Sequence, residues 1–217
     1  MLKKSTLNFL KKLKQNNNRD WFNENKHLYE DAKNDFDEFV DELIQKVCKF
    51  DNSVEHLQPK DCTYRIYRDI RFSKDKTPYK TWMGAVINEG GRKNPIAGYY
   101  FHLQPNQYFL AGGLYMPEPD KLFAVRNAIL NSNGEFRKIV NAKEFKKYFG
   151  GLWDNKLKTP PKGFPKEHPD IEYLKYKSFL VEHKINEKQL LSKEIFDYSV
   201  KVFKAMKPMI DFLNNAK

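Results

Sequence analysis

The residues best suited to chemistry lie in one stretch, from Arg65 to Lys80, where basic and hydroxyl side chains are interleaved. Guanidinium groups present N–H donors in a fixed fork, and with nearby hydroxyl groups they suit phosphate and carboxylate groups. The stretch therefore predicts a binding site for a small anionic ligand, and whether the protein also acts on that ligand as an enzyme is left open. The residues expected to hold the anion are Arg65, Arg68, Arg71, Lys76 and Lys80.

A second group of candidates lies on a predicted strand over residues 99–104. Side chains alternate along a strand, so Tyr100 and His102 are expected on one face and Tyr99, Phe101 and Leu103 on the core face. Tyr79, Tyr100 and His102 are expected to line the ligand pocket. His102 and His168 are the histidines expected to carry a proton near neutral pH.

The same alternation divides the basic stretch if residues 63–70 form a strand. Arg65 and Arg71 then share one face, whereas Arg68 lies on the other face among apolar neighbours. A buried charge is costly unless it is paired, so Arg68 is expected to have a structural partner. An alternative interpretation is a solvated basic loop whose arginines bind the chain's own carboxylates.

No motif in the sequence indicates a metal or a cofactor. The five histidines are scattered without metal-ligand spacing, and no Walker A, G-x-S-x-G or G-x-G-x-x-G pattern occurs. The two cysteines, Cys48 and Cys62, are too few for a disulfide framework. We therefore predict no metal site and no cofactor.

The formal net charge of +11 favours encounters with anions, and nucleic acid is the alternative partner that it suggests. Nucleic acid is less favoured because the positive charge is spread over many lysines instead of forming one run. No apolar run approaches the length of a membrane span, and the N-terminus lacks a signal-peptide pattern. A cytoplasmic protein without a membrane partner is expected.

An apolar stripe marks the clearest helix. Phe22, Tyr29, Phe36, Leu43 and Phe50 recur every seven residues, which predicts one helix of about 29 residues. Such an aromatic stripe more often packs on a sheet than on a partner helix. A structural or adaptor protein is the remaining alternative, and it requires that this stripe is exposed.

The remaining pattern predicts an α+β fold. Period-2 segments predict a largely antiparallel sheet of about five strands, packed against the long N-terminal helix and a C-terminal helix. The whole chain, 1–217, is expected to form a single domain, and the sequence leaves the oligomeric state open. Pro208 is expected to kink or shorten the C-terminal helix. The predicted strands are residues 63–70, 83–88, 99–104, 107–116 and 179–185.

The sequence also resembles a family of conserved hypothetical proteins, domain-of-unknown-function family 2461. The residues that carry the resemblance are 17–22, 68–80, 100–103, 111–113, 162–164 and 168–169. The resemblance runs nearly from end to end of the chain. It implies that residues 68–80 are a signature of the family, and it implies no reaction, because the family has no established activity.

Overall fold

A four-stranded antiparallel sheet lies at the centre of the computed structural model, which describes residues 1–217. Its strands lie side by side in chain order, and every neighbouring pair is antiparallel. The predicted α+β class is confirmed, and the sheet has four strands instead of five. The strands are β1 Met83–Ile87, β2 Gly98–Gln104, β3 Gln107–Leu114 and β4 Phe179–Ile185.

The predicted strand over residues 63–70 is wrong. This segment makes only isolated bridges, from Thr63 to Ala85 and from Tyr67 to Tyr79. Asp69 accepts a hydrogen bond from the backbone N–H of Arg71, and this local turn competes with a regular ladder. Pro78, on the returning side of the loop, has no N–H to donate. Residues 65–80 therefore form an irregular loop beside β1, which we call the basic loop.

The chain has ten α-helices. They are α1 Lys4–Gln15, α2 Arg19–Glu24, α3 Lys26–Cys48, α4 Pro59–Cys62, α5 Pro119–Asn131, α6 Glu135–Asn141, α7 Lys143–Phe149, α8 Ile171–Leu174, α9 Glu187–Leu190 and α10 Ile195–Asn215. No helix combines the length and the apolar character needed to cross a membrane.

The predicted long helix is interrupted at Asn25, where the backbone leaves helical geometry and separates α2 from α3. Its apolar stripe nevertheless packs on the core, because Phe22, Phe36 and Leu43 are at most 3% exposed and Tyr29 and Phe50 are half-buried against them. The adaptor hypothesis required that this stripe is exposed and therefore loses its support.

The core lies between one face of the sheet and the helices α3 and α10. Phe101 of β2 packs on Phe39 of α3 with ring centroids 4.7 Å apart, and Tyr99 packs on Phe203 of α10 at 5.1 Å. Buried apolar side chains form one cluster of 49 residues. Burial of aromatic side chains on this scale is a main source of folding free energy. That the chain is a single domain over 1–217 stays a prediction.

Pro208 does not shorten the C-terminal helix, because α10 continues to Asn215. Proline removes one backbone N–H from the helical ladder, and this leaves a carbonyl one turn earlier without its usual donor. Pro208 lies on the exposed side of α10, where water can bind that carbonyl. Of the two predicted effects, the shortening is therefore wrong, and the kink stays a prediction.

Gly113 provides a test of the sheet's close packing. Its φ is +114°, and a Cβ at this position would lie 1.9 Å from the carbonyl oxygen of Phe179 on β4. We expect Gly113→Ala to lower the free energy of unfolding by about 2 kcal/mol or more, measured by urea denaturation.

Gly151→Ala is the matched control, because a Cβ there meets no atom within 4 Å. It should change the free energy of unfolding by less than about 0.5 kcal/mol. Equal stabilities of the two variants would contradict the close approach of β3 and β4.

Candidate ligand-binding site

The sheet face opposite the helices carries a pocket of about 510 Å³. Ligand sites in proteins have volumes of roughly 300–1,000 Å³, so the size suits a small molecule. The pocket is lined by 20 residues, of which 12 are hydrophobic, and none of them is an aspartate or a glutamate. We call this cavity the sheet-face pocket.

The floor of the sheet-face pocket follows from strand register. Tyr100 of β2 pairs with Val86 of β1 and with Ala111 of β3, so these three side chains form one row across the sheet. His102 pairs with Phe109 in the next row. The predicted separation of faces on β2 is confirmed, because Tyr99, Phe101 and Leu103 are at most 1% exposed in the core.

His102 is held by two aromatic rings on this floor. Its imidazole stacks on Phe109 with centroids 4.4 Å apart and lies 5.4 Å from the Trp82 ring. Its Nδ1 is 2.8 Å from the Tyr100 hydroxyl, and its Nε2 is 3.3 Å from Oε1 of Gln104. When Nε2–H donates to Gln104, Nδ1 accepts the hydroxyl proton of Tyr100.

Burial determines the charge state of this pair. It lowers the pKa of His102, although the hydrogen bond with Gln104 acts in the opposite direction. It raises the pKa of Tyr100, so the phenol keeps its proton. The floor therefore presents two neutral polar groups at neutral pH.

A glycine makes room for the Tyr100 ring. A Cβ on Gly84 of β1 would lie 2.5 Å from the hydroxyl oxygen of Tyr100. Since Gly84 has no side chain, the Tyr100 ring extends over Gly84, and its hydroxyl lies 2.8 Å from Nδ1 of His102. A side chain at position 84 would push the Tyr100 ring into the pocket and make the pocket shallower there.

Two chain segments form walls at opposite edges of the sheet. The backbone N–H of Tyr64 donates to Gly84 of β1 at 3.1 Å, and Tyr64 and Trp82 form what we call the β1 wall. The backbone N–H of Trp153 donates to Leu180 of β4 at 2.8 Å. Trp153 and Tyr115 form the β4 wall.

Positive charge is concentrated at the β1 wall. Arg92, from the connection between β1 and β2, is the one charged residue that lines the pocket, and its Nη1 donates to the carbonyl of Lys60. Burial raises the pKa of Tyr64, and the charge of Arg92 acts in the opposite direction. Lys80 Nζ lies 5.5 Å from the Tyr64 ring and 5.1 Å from the Trp82 ring. At these distances an ammonium group is attracted to a ring face.

The arginines of the basic loop are engaged mainly with the loop itself. Arg68 forms an ion pair with Asp75 and donates to the carbonyl of Thr77 at 3.1 Å. Arg71 binds both carboxylate oxygens of Asp69, at 3.0 and 2.7 Å. The structural partner expected for Arg68 is thus present, although Arg68 does not lie on a strand.

The other predicted residues of this stretch also lie outside the pocket lining. Lys76 Nζ donates to the carbonyl of Ile70 at 3.0 Å, and Arg65 is exposed. Tyr79 is 5% exposed and stacks on Phe22 with centroids 3.9 Å apart. Lys80 is the member of the basic set that lies beside the pocket, with its Nζ 2.7 Å from the carbonyl of Arg65.

His168 lies apart from the other site candidates. Its Nδ1 accepts a hydrogen bond from the backbone N–H of Asp170 at 3.1 Å, immediately before α8, and it does not line the pocket. Of the nine predicted site residues, only Tyr100 and His102 line the sheet-face pocket, with Lys80 behind its β1 wall.

Several residues of the pocket were not predicted from the sequence. Phe109 could have been predicted from the sequence. The tight turn after Gln104 pairs Gln104 with Gln107, and this register places Phe109 opposite His102. No local sequence pattern predicts that Arg92 and Trp153 line the pocket. Both lie outside regular strands, and contacts between distant parts of the chain bring them to the pocket.

Fold and site together define the class of this protein. It is an antiparallel α+β protein with helices on one face of the sheet and an aromatic pocket on the other. The sequence matches the family described as conserved hypothetical protein (DUF2461) over residues 5–212 of 217, and the chain belongs to this family. The resemblance seen in the sequence is therefore confirmed. Neither the curated proteins nor the solved structures include a match to this chain.

The hydrogen bonds of Arg68 are expected to protect the basic loop from proteolysis. Chymotrypsin cleaves after aromatic residues, and Phe72 in this loop is 96% exposed. Cleavage requires that the loop opens locally, and the side-chain bonds of Arg68 oppose opening. We expect Arg68→Gln to accelerate cleavage after Phe72 by about fivefold or more, followed by mass spectrometry.

Arg65→Gln is the control for this experiment, because its exposed side chain donates no hydrogen bond within the loop. It should be cleaved at the wild-type rate. If all three proteins were cleaved equally fast, Arg68 would not stabilise the loop.

The lowered pKa of His102 predicts a pH dependence of stability. The unfolded chain has the ordinary histidine pKa of about 6.5, so it binds more protons than the folded protein below that pH. The contribution of His102 to stability is complete above pH of about 6.5. It decreases as the pH falls towards the folded pKa and is constant below it.

His102→Gln removes this titration and keeps a polar side chain next to Tyr100. Urea denaturation at a series of pH values should show that the wild type loses more stability than the variant as the pH falls below about 6.5. Parallel curves for the two proteins would contradict a neutral, buried His102.

Proposed function

We propose that the protein binds a small organic anion in the sheet-face pocket. The observation that carries the proposal is the charge of the lining: one guanidinium, that of Arg92, and no carboxylate in a mostly hydrophobic cavity of about 510 Å³. A cation at the edge of an apolar cavity loses part of its hydration, and an anionic group on a ligand compensates for that loss.

Arg92 has donors to spare for such a ligand. Its Nη1 donates to the carbonyl of Lys60, which fixes the guanidinium without neutralising it. The arginines of the basic loop differ in this respect, because Arg68 and Arg71 form ion pairs with Asp75 and Asp69. The sequence-based prediction of an anionic ligand is therefore kept, and its main contact moves from the basic loop to Arg92.

Lys80 strengthens the positive end of the pocket. Its ammonium lies over the outer side of the β1 wall, within 5.5 Å of both ring centroids. Burial and the nearby Arg65 charge lower the pKa of Lys80, so a second negative charge close to it is favourable. In this arrangement Arg92 contacts the anion and Lys80 adds a longer-range attraction.

The apolar part of the ligand lies on the aromatic floor. Phe109 on the floor and Trp82 at the β1 wall offer flat surfaces on which an organic group packs, and His102 with Tyr100 adds one polar point between them. An inorganic ion would leave this surface uncovered, so an organic anion is favoured over free phosphate.

The test compares an anion with its neutral analogue. Naphthoate and naphthamide have the same ring system and differ in charge, and the fluorescence of Trp82 and Trp153 at the pocket reports binding of either one. We expect naphthoate to bind at least about tenfold more tightly, because a charge-assisted hydrogen bond contributes about 1.5–3 kcal/mol.

Arg92→Gln should lower the affinity for naphthoate by about tenfold and hardly change that for naphthamide. Lys93→Gln removes the neighbouring charge, which does not line the pocket, and should behave like the wild type. Equal affinities for the acid and the amide, or an unchanged naphthoate affinity in Arg92→Gln, would contradict the proposal.

A further inference from the structure

The polar and apolar ends of the sheet-face pocket lie at opposite edges of the sheet. Arg92 donates to the carbonyl of Lys60 in α4, which ends two residues before Tyr64. Lys80 lies 5.5 Å from the Tyr64 ring, and the backbone N–H of Tyr64 donates to the outer edge of β1. At the other edge, the backbone N–H of Trp153 donates a hydrogen bond to Leu180 of β4, and no charged residue lines the pocket there. The cavity is therefore positive at the β1 wall and apolar at the β4 wall.

The distance between these ends is set by the sheet. Neighbouring strands are about 4.8 Å apart, so the three intervals from β1 to β4 span about 14 Å. A compact anion bound at Arg92 would leave the half of the pocket over β3 and β4 uncovered. The floor of that half is apolar and includes Phe109 and Ala111 of β3 and Leu180 of β4.

The β4 wall carries apolar surface that the protein itself does not cover. Trp153 is 47% exposed and Tyr115 is 66% exposed, although both border a pocket with a hydrophobic floor. Covering apolar surface of this kind is favourable by about 25 cal/mol per Å². A ligand gains this contribution only when its apolar part reaches across the sheet.

We propose that the ligand is an elongated amphipathic anion, with its charged group at Arg92 and an aliphatic chain extending across the sheet to Trp153. This inference rests on the proposed function, because it takes the anion contact at Arg92 as given. It adds the shape and the chemistry of the rest of the ligand.

A series of straight-chain carboxylates tests the inference: hexanoate, octanoate, decanoate and dodecanoate, each below its micelle concentration. Each methylene group that enters the apolar half should tighten binding by about fourfold, the equivalent of about 0.8 kcal/mol. The increase should stop when the chain passes the β4 wall. Titration calorimetry gives the affinities, and the alkanols of the same lengths measure the part due to charge.

Variants separate the two ends of the pocket. Trp153→Ser should weaken dodecanoate binding by about tenfold and hexanoate binding much less, which flattens the dependence on chain length. Phe123→Ser is the control, because Phe123 is 57% exposed and lies outside the pocket lining. Arg92→Gln should weaken all four carboxylates by a similar factor.

The outcomes distinguish this inference from the proposed function. If naphthoate binds through Arg92 but the carboxylates show no gain with chain length, the elongated ligand is excluded and anion binding remains. If the gain with length is unaffected by Trp153→Ser, the chain does not reach the β4 wall and the inference is likewise overturned. If the alkanols bind as tightly as the carboxylates, the anion contact fails, and both proposals fail with it.

Discussion

Along β2, each side chain that enters the core is followed by one that points to the opposite face of the sheet. Tyr99, Phe101 and Leu103 fill the space under α3 and α10, so Tyr100 and His102 must lie on the face without helices. A shift of one residue in the register would exchange the two sets, and this would place a hydroxyl and an imidazole in the core. The helical layer and the sheet-face pocket thus depend on the same alternation.

The arginines of the basic loop and Arg92 at the pocket have different kinds of hydrogen-bond partner. In the basic loop, Asp69 and Asp75 bind the neighbouring guanidinium groups, so the arginines stabilise the loop's own conformation. At the pocket, Arg92 is fixed by a backbone carbonyl, which leaves its charge uncompensated. A guanidinium paired with a carboxylate is a weak site for another anion, whereas one held only by a neutral acceptor remains available.

The sequence was informative wherever short-range patterns determine the structure. The hairpin between β2 and β3 and the two faces of β2 follow from a tight turn and from period-2 alternation. The predicted strand over residues 63–70 was wrong because the side chains of Asp69 and Arg68 bind within a loop, which alternation alone does not reveal. Arg92 and Trp153 were not predicted, because both lie in irregular segments that tertiary contacts bring to the pocket. Neither segment has the periodic hydrophobic pattern of a helix or a strand.

The segments that carry Tyr64 and Trp153 also cover parts of the two outer edges of the sheet. A four-stranded open sheet has two outer strands, and unpaired N–H and C=O groups along such edges can pair with the edge of another molecule. Here one backbone segment bonds the outer side of β1 and another bonds the outer side of β4. Each removes part of an edge from which aggregation begins. Mutations that loosen either segment are therefore expected to affect self-association as well as the shape of the cavity.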